Sequence, residues 1–197
     1  MAKIKWKGGA LLAPLPAVLV SCGSADKPNL ITVAWTGITN TVPPKTYISV
    51  RPGRHSYGLI KESGEFVINL PSSALARAVD FCGMYTGRKV DKFAKAGLTP
   101  TPSEEVAVPS VKECPISLEC RVTDTVMLGS HEMFLADILC VNVDETCIDK
   151  NGRLDIARAN LMAFAHGEYF ALGKFLGKFG FSAVKKKKHH KKPKENK

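Results

Sequence analysis

The sequence lacks the short motifs by which several large enzyme classes are recognised. It contains no G-x-S-x-G elbow, no H-E-x-x-H zinc motif and no P-loop of the form G-x-x-x-x-G-K-[ST]. A strand followed by a G-x-G-x-x-G turn is also missing. These absences argue against an α/β-hydrolase, a zinc protease, a P-loop nucleotide hydrolase and a Rossmann dinucleotide-binding unit. No residue stands out as a hydrolytic acid, base or nucleophile.

Metal-binding and export signals are missing as well. The six cysteines form no C-x-x-C pair and have no histidine at zinc-finger spacing, so no metal site is predicted. The stretch closest to an export signal, residues 8–20, is interrupted by Pro14 and Pro16 and is too short to span a bilayer. We therefore expect reduced thiols and a cytoplasmic protein. Cys114 and Cys120 are expected to be buried.

Positive charge is abundant but concentrated at one end. The formal net charge is +10, and residues 185–197 contribute eight lysines against one glutamate, which leaves only +3 on the rest of the chain. We predict one domain, residues 1–182, and a disordered Lys-rich tail, residues 183–197. The tail is expected to be a solubilising segment, with weak contact to nucleic acid or anionic lipid as the alternative. The body itself is not expected to bind nucleic acid.

Short β-rich runs dominate the chain and a few helical segments lie between them. Strands are predicted at Ala17–Gly23, Leu30–Thr36, Thr46–Pro52, Glu65–Pro71, Ile116–Leu128 and His131–Asp144. Helices are predicted at Ser56–Gly64, after the Ser72-Ser73 cap, and at Asp91–Gly97. The pattern indicates a mainly β protein with inserted helices, a closed or nearly closed β-barrel of Greek-key type.

The most polar turn of this pattern runs from Arg51 to Tyr57. It places two arginines, a histidine, a serine and a tyrosine between a strand and a helix start. Free backbone N–H groups, a hydroxyl and a guanidinium at such a place can hold a phosphate. The alternative from these residues alone is a solvated surface turn.

Four segments together resemble the FMN-binding split-barrel flavoproteins, specifically the flavin reductase and flavoredoxin branch. They are N-L-I-T-V-A-W-T-G from residue 29, R-P-G-R-H-S-Y from residue 51 leading into E-F-V-I-N-L-P, C-G-M-Y-T-G-R-K-V-D-K-F from residue 82, and L-G-S-H-E-M-F from residue 128. Each segment alone is only a weak indication of the family, but the four occur in the family's order. The resemblance covers residues 13–182 and implies an FMN-binding split β-barrel.

The resemblance also implies a set of FMN-binding residues. The residues expected to line the flavin ring are Thr32, Val33, Ala34 and Trp35. Those expected at the phosphate and ribityl end are Arg51, His55, Ser56 and Tyr57. The wall beneath the ring is assigned to Asn69, Leu70 and Pro71. The following loop is expected to bring Cys82, Gly83 and either Lys89 or Lys92 to the flavin. His131 is expected near the ring or at a subunit contact, with a purely structural role as the alternative.

The function implied by the resemblance is transfer of a hydride or electrons from NADH or NADPH to FMN. The alternative is a flavoredoxin-type electron carrier that passes electrons between redox proteins. Both place the chemistry on the flavin, so no catalytic side chain is expected. A homodimer is implied as well, and the apolar segment 166–182 is expected to pack on the partner or on its own barrel. A membrane-surface role for that segment is the minor alternative.

Overall fold

The computed structural model describes residues 1–183, and these form a mainly β structure with three α-helices. The strands are β1 Leu15–Pro16, β2 Val18–Gly23, β3 Pro28–Val33, β4 Thr36–Thr41, β5 Pro44–Val50, β6 Glu65–Leu70, β7 Pro100–Thr101, β8 Ser110–Val111, β9 Ile116–Met127, β10 Glu132–Val143, β11 Met162–Ala165 and β12 Glu168–Ala171. The helices are α1 His55–Ser63, α2 Ala76–Met84 and α3 Lys92–Ala96.

Seven strands form one antiparallel sheet in the order β3-β2-β6-β9-β10-β5-β4. Its two edge strands, β3 and β4, follow each other directly in the chain and are joined through Ala34 and Trp35. The sheet therefore curls round on itself and is split at this seam, where the Ser49 amide donates a hydrogen bond to the Trp35 carbonyl (2.9 Å). The mainly β barrel expected from the sequence is confirmed.

One predicted strand has wrong bounds because the chain crosses the seam of the barrel within it. The sequence indicated a single strand at Leu30–Thr36, whereas β3 ends at Val33 and β4 begins at Thr36. The apolar run continues as far as Trp35, but the chain changes from one edge of the sheet to the other within it. The other predicted strands and helices occur with ends shifted by a few residues.

Two apolar cores lie on the two faces of β2 and β3. Alternate residues of these strands, such as Val20 and Ile31, point into the barrel and pack with Phe66 and Phe134. The residues between them, such as Leu19 and Leu30, face outward and pack under α2 and α3. This two-sided burial fixes β3 between the barrel and the helices, where it can support a site at its exposed end.

Asn69 on β6 links β2 and β9 of the barrel to β8, which lies outside the seven-stranded sheet, through a buried side-chain amide. Its Nδ2 donates to the carbonyl of Leu19 (3.0 Å) and to the hydroxyl of Ser21 (3.1 Å). Its Oδ1 accepts from the backbone N–H of Val111 (2.9 Å) and from the hydroxyl of Ser117 (2.8 Å). Since the side chain is fully buried, these bonds replace all of its contact with water.

The two ends of the described chain carry exposed apolar side chains. Residues 1–13 form no helix or strand, and β1, β11 and β12 form a separate three-stranded sheet. Large exposed apolar residues in these regions are Ile4, Trp6, Leu12, Leu172, Phe175, Leu176 and Phe179. No helix within residues 1–183 is both long and apolar enough to cross a membrane. The predicted tail, apart from Ala183, lies outside the described residues.

Candidate functional site

The start of α1 is open toward an anion. Arg54 occupies the N-cap position with an extended backbone (φ −76°, ψ 140°), and no side chain caps the helix. The first turn contains no acidic residue. Unpaired backbone N–H groups and the positive end of the helix dipole therefore meet at this point without a carboxylate to satisfy them.

A cavity of ≈ 120 Å³ opens directly at this helix start, and we call it the α1 cavity. It is lined by Ile31 of β3, by residues 53–56 at the start of α1, by residues 85–87 after α2, and by Lys92. Three of its side chains, Arg54, His55 and Lys92, are basic, and none is acidic. The field inside it favours a negatively charged group.

Lys92 is the most buried cation of this cavity. Its side-chain ammonium donates to the carbonyl oxygens of Leu30 and Cys82, both at 2.7 Å, and the residue is only 4% exposed. An ammonium has three donors, so one remains after these two bonds. Burial lowers the pKa of Lys92, which means that the charged form lacks full compensation from the protein. An anion in the cavity would supply it.

Asn29 orients the hydroxyl of Ser56 within the same cavity. The Asn29 Nδ2 donates to Ser56 Oγ (2.8 Å), so the hydroxyl hydrogen of Ser56 must be donated elsewhere. Within residues 1–183 it has no oxygen acceptor, and only the thiol of Cys22, a weak acceptor, lies beside it. Ser56 is 2% exposed and lines the cavity, which leaves it as a donor for a ligand.

Gly87 allows the loop after α2 to close against Asn29. A Cβ atom at position 87 would lie 1.9 Å from Asn29 Oδ1 and 2.8 Å from its Cγ. No larger residue fits there without moving the amide that holds Ser56. The wall of the α1 cavity opposite the helix therefore requires glycine at this position.

A second group of side chains, the Trp35 cluster, surrounds the seam between β3 and β4. The rings of Trp35 and His131 are parallel within 1°, with centroids 6.4 Å apart, and Phe164 of β11 lies tilted at the same centroid distance from Trp35. Burial, and secondarily the charge of Arg51, lowers the pKa of His131. The imidazole is thus favoured in its neutral form, as part of an aromatic surface.

The residues predicted for the phosphate end are only partly brought together. His55 and Ser56 line the α1 cavity, but Arg51 does not, and Arg54 stands there instead. Tyr57 lies on another side of α1, where its hydroxyl bonds to Glu132 and accepts from Lys61 (3.0 Å). This placement follows from the helical turn, because residues 55, 56 and 57 point in three different directions.

The residues predicted along the ring are also separated by the alternation of β3. Thr32 donates its hydroxyl to the Val79 carbonyl, and Val33 belongs to the barrel core. Ala34 lines a small apolar cavity beside Trp35. Only Trp35 therefore presents a large side chain at the open end of the strand.

The remaining predicted residues form walls or lie outside the α1 cavity. Cys82 is buried, which raises its pKa to about 11, and the Gly83 carbonyl accepts from Arg54 Nη1 (3.2 Å). Leu70 packs in the core and Pro71 is buried beside it. Lys89 is exposed and lines an adjoining cavity, so the structure places Lys92, and not Lys89, in the α1 cavity.

Several residues of the site were not among those predicted. Arg54 and Asn29 lie within the motifs that carry the family resemblance, and the position of Arg54 two residues before the predicted helix was a usable signal. Phe164 comes from a segment without any interpreted pattern, and nothing in the sequence connects it to Trp35.

A family model described as the flavin reductase like domain matches residues 11–173. The chain belongs to this family. Its barrel, split at the β3–β4 seam, is therefore the split β-barrel of flavin reductase-like proteins, as the resemblance implied.

Solved structures and a curated relative agree with the family assignment. The flavoredoxin of Desulfovibrio vulgaris (Miyazaki F) is 36% identical, with a TM-score of 0.86 covering 93% of this chain and 100% of that one. The flavoredoxin of Methanosarcina acetivorans is 28% identical, with a TM-score of 0.84 and the same coverage. An uncharacterised protein of Archaeoglobus fulgidus is 36% identical over 81% of this chain and 88% of its own length. The likeness to these three proteins thus extends over most of the domain.

Proposed function

We propose that this flavin reductase-like protein binds FMN, with the phosphate in the α1 cavity and the ring toward the Trp35 cluster. The observation that carries the proposal is the α1 cavity itself, which combines three basic side chains, an uncapped helix start and no carboxylate. A dianionic phosphate matches this set of donors. A flat aromatic ring system matches the parallel aromatic surface at the seam.

Each side chain of the α1 cavity has a definite part in this proposal. The phosphate would accept hydrogen bonds from the remaining N–H of Lys92, from the N–H groups at the start of α1 and from the hydroxyl of Ser56. That hydroxyl would exchange the weak acceptor Cys22 for a phosphate oxygen. Arg54, held by the Gly83 carbonyl, would add charge at the mouth. When bound, FMN supplies the acceptor and donor of a hydride or electrons, and the chain contributes binding and access.

The activity we propose is oxidoreduction, in which NADH or NADPH passes a hydride to the flavin. The test is anaerobic mixing of the FMN-loaded protein with each nicotinamide while the flavin absorbance is followed. Rapid loss of the absorbance with either donor is expected. If FMN is retained through gel filtration but neither donor reduces it, the nicotinamide activity is wrong.

A flavoredoxin-type electron carrier is the second candidate. It is favoured by the likeness to two flavoredoxins and by the exposed indole of Trp35, which would restrict a stacking nicotinamide. In that case a redox protein, not a nicotinamide, would be the electron donor. The same mixing experiment distinguishes the two, because a carrier is reduced by its protein partner and not by NADH or NADPH.

A homodimer is also proposed, since both ends of the described chain leave large apolar side chains in solvent. Leu176 is 89% exposed and Phe175 is 70% exposed, which is unusual for side chains of this size in a monomer. Burial of these segments against a second copy would remove the exposure. Sedimentation equilibrium should give twice the mass of the chain, and a monomer at all concentrations would contradict the proposal.

The Ser56→Ala variant tests the α1 cavity. We expect its FMN affinity to fall by about 1–2 kcal/mol, because one hydrogen bond to a charged phosphate is lost. Titration by flavin fluorescence measures the change. Ser63→Ala at the other end of α1 is the matched control, since the Ser63 hydroxyl bonds to backbone groups of Leu59 and Glu65 at the far end of the helix. If the two variants bind FMN with equal affinity, Ser56 does not contact the phosphate.

A further inference from the structure

Trp35 has an unusual environment for a tryptophan that follows a buried strand. Its backbone is fixed, because its carbonyl accepts from the Ser49 amide, yet its side chain is 42% exposed. β3, the strand before Trp35, is packed on both of its faces. The indole therefore lies at the end of a rigid element. An exposed indole at such a place costs hydrophobic free energy that burial would otherwise recover.

The contacts of the indole come from two different sheets. His131 directly precedes β10 of the barrel, and Phe164 lies on β11 in the small three-stranded sheet. Trp35 itself belongs to the seam where the barrel is split. Its ring therefore spans the gap between the barrel and the small sheet, and does not fill either core.

Space is available for this ring to move. An apolar cavity of ≈ 120 Å³ lies against Trp35 and is lined by Ala34, Tyr47 and residues 10, 12 and 15 of the N-terminal segment. The part of that wall formed by residues 10 and 12 belongs to no helix or strand. Displacing the indole into this cavity would break no backbone ladder of the barrel.

We infer that Trp35 covers one face of the bound flavin ring and determines which reductants reach it. Hydride transfer requires the donor ring to approach the acceptor within about 3–3.5 Å in a stacked arrangement. Such a donor must displace the indole, whereas a small one-electron reductant needs no stacked complex. Trp35 is thus a specificity-determining residue, and this inference rests on the proposed binding of FMN.

The position of Trp35 against the flavin ring is tested first, by tryptophan fluorescence. The chain has two tryptophans, so a Trp6→Phe variant leaves Trp35 as the single reporter. We expect FMN to quench this emission at least threefold, because an indole in contact with a flavin loses its excited state rapidly, and inorganic phosphate to leave it unchanged. If FMN is retained through gel filtration and the emission is unchanged, the inference is overturned while the proposed function stands.

The access of reductants to the flavin ring is tested by reducing FMN-saturated variants in the absence of oxygen. Trp35→Ala should be reduced by NADH or NADPH at least tenfold faster than the natural protein, with dithionite rates equal within twofold. Trp35→Phe should lie between them, and Trp6→Ala, which changes an exposed residue of the N-terminal segment, should match the natural protein with every donor. Equal nicotinamide rates for all four proteins would overturn the inference. If the natural protein does not bind FMN, both the proposed function and this inference are overturned.

Discussion

Replacement of Lys92 by methionine is expected to reduce FMN affinity on the order of 100-fold, or about 2.7 kcal/mol. Methionine retains the length of the side chain but removes the ammonium that lies between the Leu30 and Cys82 carbonyls and the α1 cavity. The variant loses a charge-assisted hydrogen bond to the phosphate in a site shielded from water. Isothermal titration of the flavin-free protein with FMN measures the loss.

Lys89→Met provides the matched control for this effect. Lys89 lies three residues before Lys92 in the loop that leads into α3, carries the same charge and is exposed in the adjoining cavity. Its replacement should alter FMN affinity less than about threefold, the value of a screened surface charge. A larger effect at Lys89 than at Lys92 would show that the phosphate binds in the adjoining cavity.

Replacement of Asn69 by alanine is expected to lower the free energy of unfolding by about 3 kcal/mol. The variant leaves the Val111 N–H and the Leu19 carbonyl without their side-chain partner and opens a cavity between β2, β8 and β9. Urea unfolding of the flavin-free protein gives the change in midpoint and slope. The effect belongs to stability, even though the family resemblance placed Asn69 at the flavin.

Asn40→Ala is the corresponding control on the surface. Asn40 donates one exposed hydrogen bond to the Pro43 carbonyl (2.9 Å), so its loss should cost less than about 1 kcal/mol. If Asn69→Ala weakens FMN binding while the unfolding midpoint stays unchanged, then its amide contacts the ligand and the structural role is wrong.

Six of the seven strands of the main sheet could be predicted from local patterns, because each of them alternates or forms a short apolar run between turn residues. β4 could not, since its sequence T-G-I-T-N-T is mostly exposed and shows neither pattern. β6 and β9 begin at the residues that the sequence indicated. The break between β3 and β4 could not be predicted, since Ala34 and Trp35 are as compatible with a strand as their neighbours. What ends β3 is the closure of the sheet, which depends on strands far away in the chain.

The candidate site was predictable in its motifs but not in its side-chain directions. The motif around Arg51 correctly indicated a helix start, yet the direction in which α1 leaves the barrel places Arg54 in the cavity and Tyr57 beside Glu132. Lys89 and Lys92 were indistinguishable by spacing. The packing of α3 under β3 buries Lys92 and leaves Lys89 exposed. Sequence spacing carries no information about that packing.

The hydrogen bonds around the α1 cavity join residues that are far apart in the chain. Asn29 and Ser56 are 27 positions apart, Arg54 and Gly83 are 29 apart, and Lys92 and Leu30 are 62 apart. A protein engineer could not transplant this anion receptor into another scaffold as a peptide loop. The smallest portable unit would be the continuous stretch 29–92, with the β-strands and helices that hold its two ends against each other.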